Sequence, residues 1–130
     1  MPLTITPLYV ALAAIILLVL TFRVIRLRRR LAIGLGTGGD AELEKAVRGH
    51  GNFTEYAPIG LILLASAELS GAAAGWIQTI GILLIAGRAL HAWGLAQSRG
   101  KSFGRSTGVV LTTAAMLIGI GVNLAQFLNH

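Results

Sequence analysis

Four stretches of the chain are continuously apolar, and each is followed or preceded by a short polar interval. The first runs from Leu3 to Val24, opening "LTITPLYVALAAIILLVLTF" and passing into "RVIRLRRR". The second runs from Phe53 to Leu69, the third from Ala72 to Leu95, and the fourth from Thr107 to Leu128. Each is close to the roughly 20 residues that a helix needs to cross a bilayer. A bilayer core leaves no water to satisfy backbone N–H and C=O groups, so spans of this kind are helices and not open strands. With their polar extensions the helices are expected over 3–30, 41–69, 72–97 and 106–128, as a single domain covering 1–130. The fold class expected is an all-α integral membrane protein, a four-helix up-down bundle.

Composition agrees with that pattern. The 130 residues are 55% hydrophobic and 12% charged, with a mean hydropathy of +0.75. A soluble domain needs far more polar surface. There is no cysteine, so neither a disulfide framework nor a thiolate metal site is available. The first segment reads as a retained span and not a cleaved leader, because its charges follow the apolar run instead of preceding it.

The net charge of +6 does not imply nucleic acid. Seven of the eleven basic residues are Arg23, Arg26, Arg28, Arg29, Arg30, Lys45 and Arg48, all from the end of the first span to the start of the second. Clusters of this kind beside spans set topology and meet anionic headgroups. The connection around "AELSGAAAG" carries Glu68 and no Lys or Arg, whereas "SRGKSFGRS" carries Arg99, Lys101 and Arg105. The expectation is that the first and third connections are cytoplasmic and both termini lie on the other side.

Between the first two spans, "GLGTGG" lacks the Lys-Ser/Thr of a phosphate-binding loop and has no strand before it, so it reads as a flexible loop. Asp40 has the character of an N-cap, with Glu42 and Glu44 in the first turn, where negative charge is favoured. Helix two is therefore expected to start well before the membrane.

The polar residues then fall on defined faces. At 100° per residue Arg48, Asn52 and Glu55 lie within about 60° of one another, and Ile59 continues the stripe, while His50 points nearly the opposite way. On helix three Arg88, His91 and Leu95 share a stripe, with Leu84 and Ser98 near it and Trp93 facing away as an interfacial anchor. On helix four Arg105, Val109 and Thr112 share a side, with Ser106 beside Arg105. Gly81, Gly87, Gly94, Gly119 and Gly121 are expected to allow close helix approach.

Ionisable groups in spans face a bundle interior or a wet cavity and pair with one another. One reading is that Glu55 pairs with Arg88 or Arg48 simply to bind helices together. The other starts from the excess of arginine: Arg26, Arg48, Arg88 and Arg105 near one edge, against one embedded carboxylate. Guanidinium groups in a partly dry crevice hold anions, carboxylates above all. His50 and His91 lie on different helices without Cys or carboxylate partners at ligand spacing, so no metal is expected. His91 could serve Ser98 as a base, although nothing else supports that pairing. A third reading makes Glu55 the proton-exchanging carboxylate of a small four-helix exporter, which so many neighbouring arginines disfavour.

Taken together, "EKAVRGHGNFTEYAP", "GRALHAWGL", "GRSTG" and the basic end of the first span resemble the MAPEG family over nearly the whole chain. These are membrane-associated proteins of eicosanoid and glutathione metabolism, and the likeness is to small bacterial members. The resemblance implies a homotrimer in the bacterial inner membrane, with glutathione or a similar anionic thiol held between subunits near the cytoplasmic face. It implies Arg26, Arg48, Asn52, Glu55, Arg88, His91 and Arg105 as ligand-binding residues, Glu55 suiting the amino group and Arg105 a carboxylate. Arg105 and Ser106 are the candidates for assisting the thiol, and the implied reaction is its conjugation to a lipophilic electrophile from the bilayer. The chain departs from the family pattern at Gly51, where several members carry Arg, and at Leu95 and Val109, where they carry tyrosine. Those losses leave a non-catalytic binding or structural membrane protein as the alternative.

Overall fold

The computed structural model describes residues 2–97, 100 and 102–129. Ser98, Arg99, Lys101 and His130 lie outside the described residues. Among the described residues the chain is all helical: α1 (Thr6–Leu31), α2 (Ala41–Leu69), α3 (Ala74–Gln97) and α4 (Phe103–Leu128). Three of these, α1, α3 and α4, are long and apolar enough to cross a membrane. α2 is not, because its apolar run carries Glu55, Pro58 and Glu68. It packs against the other three helices all the same. α1 leans on α2 and touches α3 least of the helix pairs in contact, whereas α3 and α4 share the longest seam.

The helix ends follow from local chemistry. α2 starts where expected because the Asp40 side chain accepts from Leu43 N–H at 2.8 Å. Ahead of it, Gly36, Gly38 and Gly39 adopt left-handed backbone (φ +65°, +56° and +78°), which only glycine takes up without cost. Arg28 ties this loop down by donating to the carbonyls of Ile33 (3.1 Å) and Gly36 (2.9 Å). α4 begins at Phe103, a turn earlier than 106, because Ser102 Oγ accepts from Arg105 N–H at 3.1 Å. α3 begins at Ala74 and not 72.

α1 begins at Thr6 rather than 3, and its first turn has an unusual cap. Ile5 supplies no side-chain cap, and Pro7 falls in the first turn. Instead the carboxylate of Glu68, at the far end of α2, accepts from the backbone N–H groups of Thr4, Ile5 and Thr6 at 2.7 Å each. The Thr4 hydroxyl donates to it as well, at 2.9 Å. Glu68 is buried, and it meets both the orphan donors and the positive end of the α1 dipole.

Three apolar layers fill the bundle. Tyr9, Leu64, Ala67, Ile77 and Ile80 pack at the Glu68 end. Ala13, Leu20, Phe53 and Ala57 pack midway, and Leu27, Leu43 and Ala46 pack beneath the basic end. In lipid the hydrocarbon environment is already apolar, so these layers stabilise by close fit more than by escape from solvent.

Candidate functional site

The site is built on the seam between α3 and α4, which is made of glycine. A Cβ at Gly108 would lie 2.5 Å from the His91 nitrogen and 2.6 Å from the Gly87 oxygen. One at Gly87 would lie 2.6 Å from the Thr112 hydroxyl and 2.8 Å from the Thr112 nitrogen. Gly94 and Gly104 meet in the same way nearer the basic end. Gly87 and Gly94 do what the sequence led one to expect. Gly81 accommodates Tyr9 of α1 and Gly119 faces Leu63 of α2, but Gly121 faces open space and brings no helix closer. Gly104 and Gly108 went unmarked, although their spacing of four residues is itself the small-residue signature of a helix contact.

Backbone contact at this seam sets His91 beside Arg105. The two residues wall a crevice of about 170 Å³ that is completed by Glu44, Lys45, Arg48, Asn52 and Leu95. An adjoining depression of about 400 Å³ shares His91 and Arg105 and adds Ser106 and Val109. Arg105 donates to the Gly100 carbonyl at 2.6 Å. Lys45 is held by Glu42 at 2.5 Å and reaches the Ala96 carbonyl at 3.4 Å. The hydrogen bond from Lys45 keeps the Glu42 carboxyl below the usual carboxylate range. Three cations, Lys45, Arg48 and Arg105, thus line the crevice beside one carboxylate, Glu44, a set of donors suited to oxyanions.

Of the residues singled out from sequence, Arg48, Asn52, His91, Arg105 and Ser106 are brought together here. Glu44 and Lys45 were missed as lining residues. Glu44 lies on the Arg48 stripe one turn earlier, so helical phase could have found it. Glu55 pairs with Arg48 at 3.6 Å, both side chains more than half exposed, and does not line the crevice. Arg26 lies exposed on α1 and lines neither depression. The His91–Ser98 pairing falls outside the described residues.

Arg88 is placed differently. Only 3% exposed, it donates through Nε to the Thr112 hydroxyl at 2.9 Å and through Nη1 to Asn52 Oδ1. Its guanidinium lies 5.2 Å from the Tyr56 ring centroid. It therefore ties α2, α3 and α4 together, and it orients Asn52 toward the crevice instead of lining it. Lysine keeps the charge but cannot bridge two acceptors on opposite sides. Arg88→Lys is expected to lower unfolding free energy by about 2 kcal/mol, read by equilibrium unfolding in mixed micelles. A change within experimental error would show that the bridge contributes nothing.

The chain matches the model of the MAPEG family over residues 6–125. It belongs to the MAPEG family. The protein named inner membrane protein YecN from Escherichia coli K12 is 36% identical over 120 residues, covering 92% of this chain and 90% of the relative. The protein of the same name from Escherichia coli O6:H1 matches to the same extent. In this MAPEG chain both aromatic departures stand in the depressions themselves. Leu95 lines the crevice and Val109 the adjoining hollow, so hydrocarbon occupies two wall positions where a hydroxyl could have met a ligand.

Proposed function

We propose that this membrane protein binds glutathione, or a similar anionic thiol, in the crevice walled by His91 and Arg105. The observation that carries this reading is the lining itself, where Lys45, Arg48 and Arg105 converge on one crevice with Asn52 and a single wall carboxylate, Glu44. The carboxylates paired with Lys45 and Arg48, Glu42 and Glu55, stand outside it. Asn52 and Glu44 suit the ligand's amide and amino groups, and Arg105 and Arg48 its carboxylates. The crevice alone is small for a tripeptide, since ligand sites run from about 300 Å³ upward. The adjoining depression extends it through the shared His91 and Arg105.

The proposal includes a homotrimer. Arg26 is exposed and away from the crevice of its own chain. The Arg48–Glu55 pair lies on an outward face of α2, where lipid would be a poor environment for two charges. A neighbouring copy covering that face and bringing its own Arg26 to the site satisfies both. We place the protein in the bacterial inner membrane, in keeping with the name of the Escherichia coli relative. In this reading α2, less apolar over its span than the other helices, crosses with them because it packs along the same bundle. That gives four passes, with the basic connections cytoplasmic and both termini opposite.

In the proposed reaction the thiol gives up its proton, the sulfur bonds to an electrophilic carbon, and a halide or equivalent group departs. Arg105 and Ser106 would favour the thiolate, since a positive, donor-rich setting lowers a thiol's pKa. Leu95 and Val109 favour a second reading, binding without turnover.

Titration calorimetry on the purified protein tests the site. Glutathione should bind, and Arg105→Ala should weaken it by roughly tenfold or more, the effect of losing one charged hydrogen-bonding partner. No binding to the parent protein, or undiminished binding in Arg105→Ala, removes the proposal. Steady-state conjugation of a reactive aryl halide, run on the same preparations, separates turnover from binding alone.

A further inference from the structure

A second feature lies outside that crevice, on the other side of α3. α1 and α3 barely touch, and the gap between them is a groove of about 310 Å³. Its walls are hydrocarbon, including Ile16 and Val19 of α1 and Ala89, Ala92 and Trp93 of α3. The exception is Arg23, at one end of the groove.

The position of Arg23 determines what can enter. It stands 17 residues along α1 from Thr6, about 26 Å at 1.5 Å per residue. That is close to the roughly 30 Å thickness of a hydrocarbon core, which puts the guanidinium at the headgroup boundary. Trp93 is more than half exposed beside the groove, and tryptophan prefers that same boundary. Among the described residues Arg23 has one partner, a long 3.4 Å contact to Glu42. Lys45 takes the other oxygen of the same carboxylate at 2.5 Å. Two cations thus share one carboxylate, and most of the five N–H donors of the guanidinium are left over.

We propose that this groove holds an acyl chain of an anionic phospholipid, whose phosphate is bound by Arg23. The small side chains of Ala89 and Ala92 leave a smooth channel for a flexible hydrocarbon chain. The surplus positive charge at its mouth complements a phosphate, and it favours a headgroup of net negative charge over a zwitterionic one, whose own cation offsets the attraction. Glu42 acts as the positioning residue that holds the guanidinium at the lip, and Lys45 fixes Glu42 in turn. The site does not rest on the thiol reading: the two linings share no residue, and among the described residues Lys45, which borders the crevice, touches the groove only through Glu42.

The two tryptophans permit a direct test. With Trp76→Phe, Trp93 reports alone on the groove. The protein is reconstituted in vesicles where either phosphatidylglycerol or phosphatidylcholine carries brominated chains, which quench nearby indole. Brominated phosphatidylglycerol should associate with the Trp93 site roughly fivefold more strongly than brominated phosphatidylcholine, the preference expected of one interfacial cation. Arg23→Gln should bring that ratio to about one, while Arg30→Gln, at an exposed arginine farther along α1, should leave it unchanged. Ala89→Phe, which fills the groove from an exposed position, should reduce quenching by both lipids. Equal quenching in the starting protein overturns the proposal, as does an unchanged ratio in Arg23→Gln. So does an equal loss in Arg30→Gln, which would mean a diffuse charge effect, or undiminished quenching in Ala89→Phe.

Discussion

Replacing Glu68 by alanine should destabilise the fold by about 3 kcal/mol, the largest single effect expected from a side chain in this protein. The carboxylate accepts from three backbone N–H groups and one hydroxyl. Removing it leaves those donors at the first turn of α1 without an acceptor, in a place where Glu68 itself is only 6% exposed. Glutamine keeps the shape and one neutral oxygen but loses the charge and the second acceptor, so Glu68→Gln should fall roughly midway. Equilibrium unfolding in mixed micelles measures both, and amide exchange gives a local reading. Exchange at Thr4, Ile5 and Thr6 should quicken in each variant more than elsewhere in the bundle. If Glu68→Ala unfolds like the parent protein, water must satisfy the turn equally well and the cap is incidental.

The second large effect is expected at Gly108. Alanine there places a methyl group against the His91 nitrogen and the Gly87 oxygen. Both are backbone atoms, so no rotamer change relieves the overlap, and the helices themselves must separate. A cost of about 3 kcal/mol or more follows, at the upper end of what overpacking produces. The same displacement moves His91 away from Arg105, so any anion binding at the crevice should fall along with stability. Gly121→Ala is the matched control, because nothing lies within 4 Å of the added methyl. It should be neutral, or more stable by up to about 1 kcal/mol from helix propensity. Equal behaviour of the two variants in thermal melting would show that the α3–α4 seam has slack.

Much of this arrangement could be read from sequence because it is periodic or local. The bounds of α2 followed from Asp40 and its acidic first turn, and the Arg48–Asn52 stripe followed from helical phase. His91 and Arg105 could be picked out as polar groups on otherwise apolar helices. What stayed hidden depends on partners distant along the chain. Glu68 looked like the lone acid of a connection, since its acceptor role involves donors more than sixty residues away. Arg88 shares a face with His91, but it lies nearly one turn deeper, where Thr112 and Asn52 enclose it. Phase gives the side of a helix and not the depth. The glycine contacts of α4 were likewise visible as residues, but not as distances.

The two carboxylates at opposite ends of α2 have a joint effect on α1. Glu68 grips its first turn, and Glu42 holds Arg23 further along. A slip of α1 past α2 by one helical turn, about 5.4 Å, would break both contacts at once, whereas a tilt could spare either. The pair therefore fixes the vertical register of the most peripheral helix. Arg26, less than one turn beyond Arg23, inherits its height from that register, so mutations at the far end of the bundle should change the level at which its guanidinium is presented.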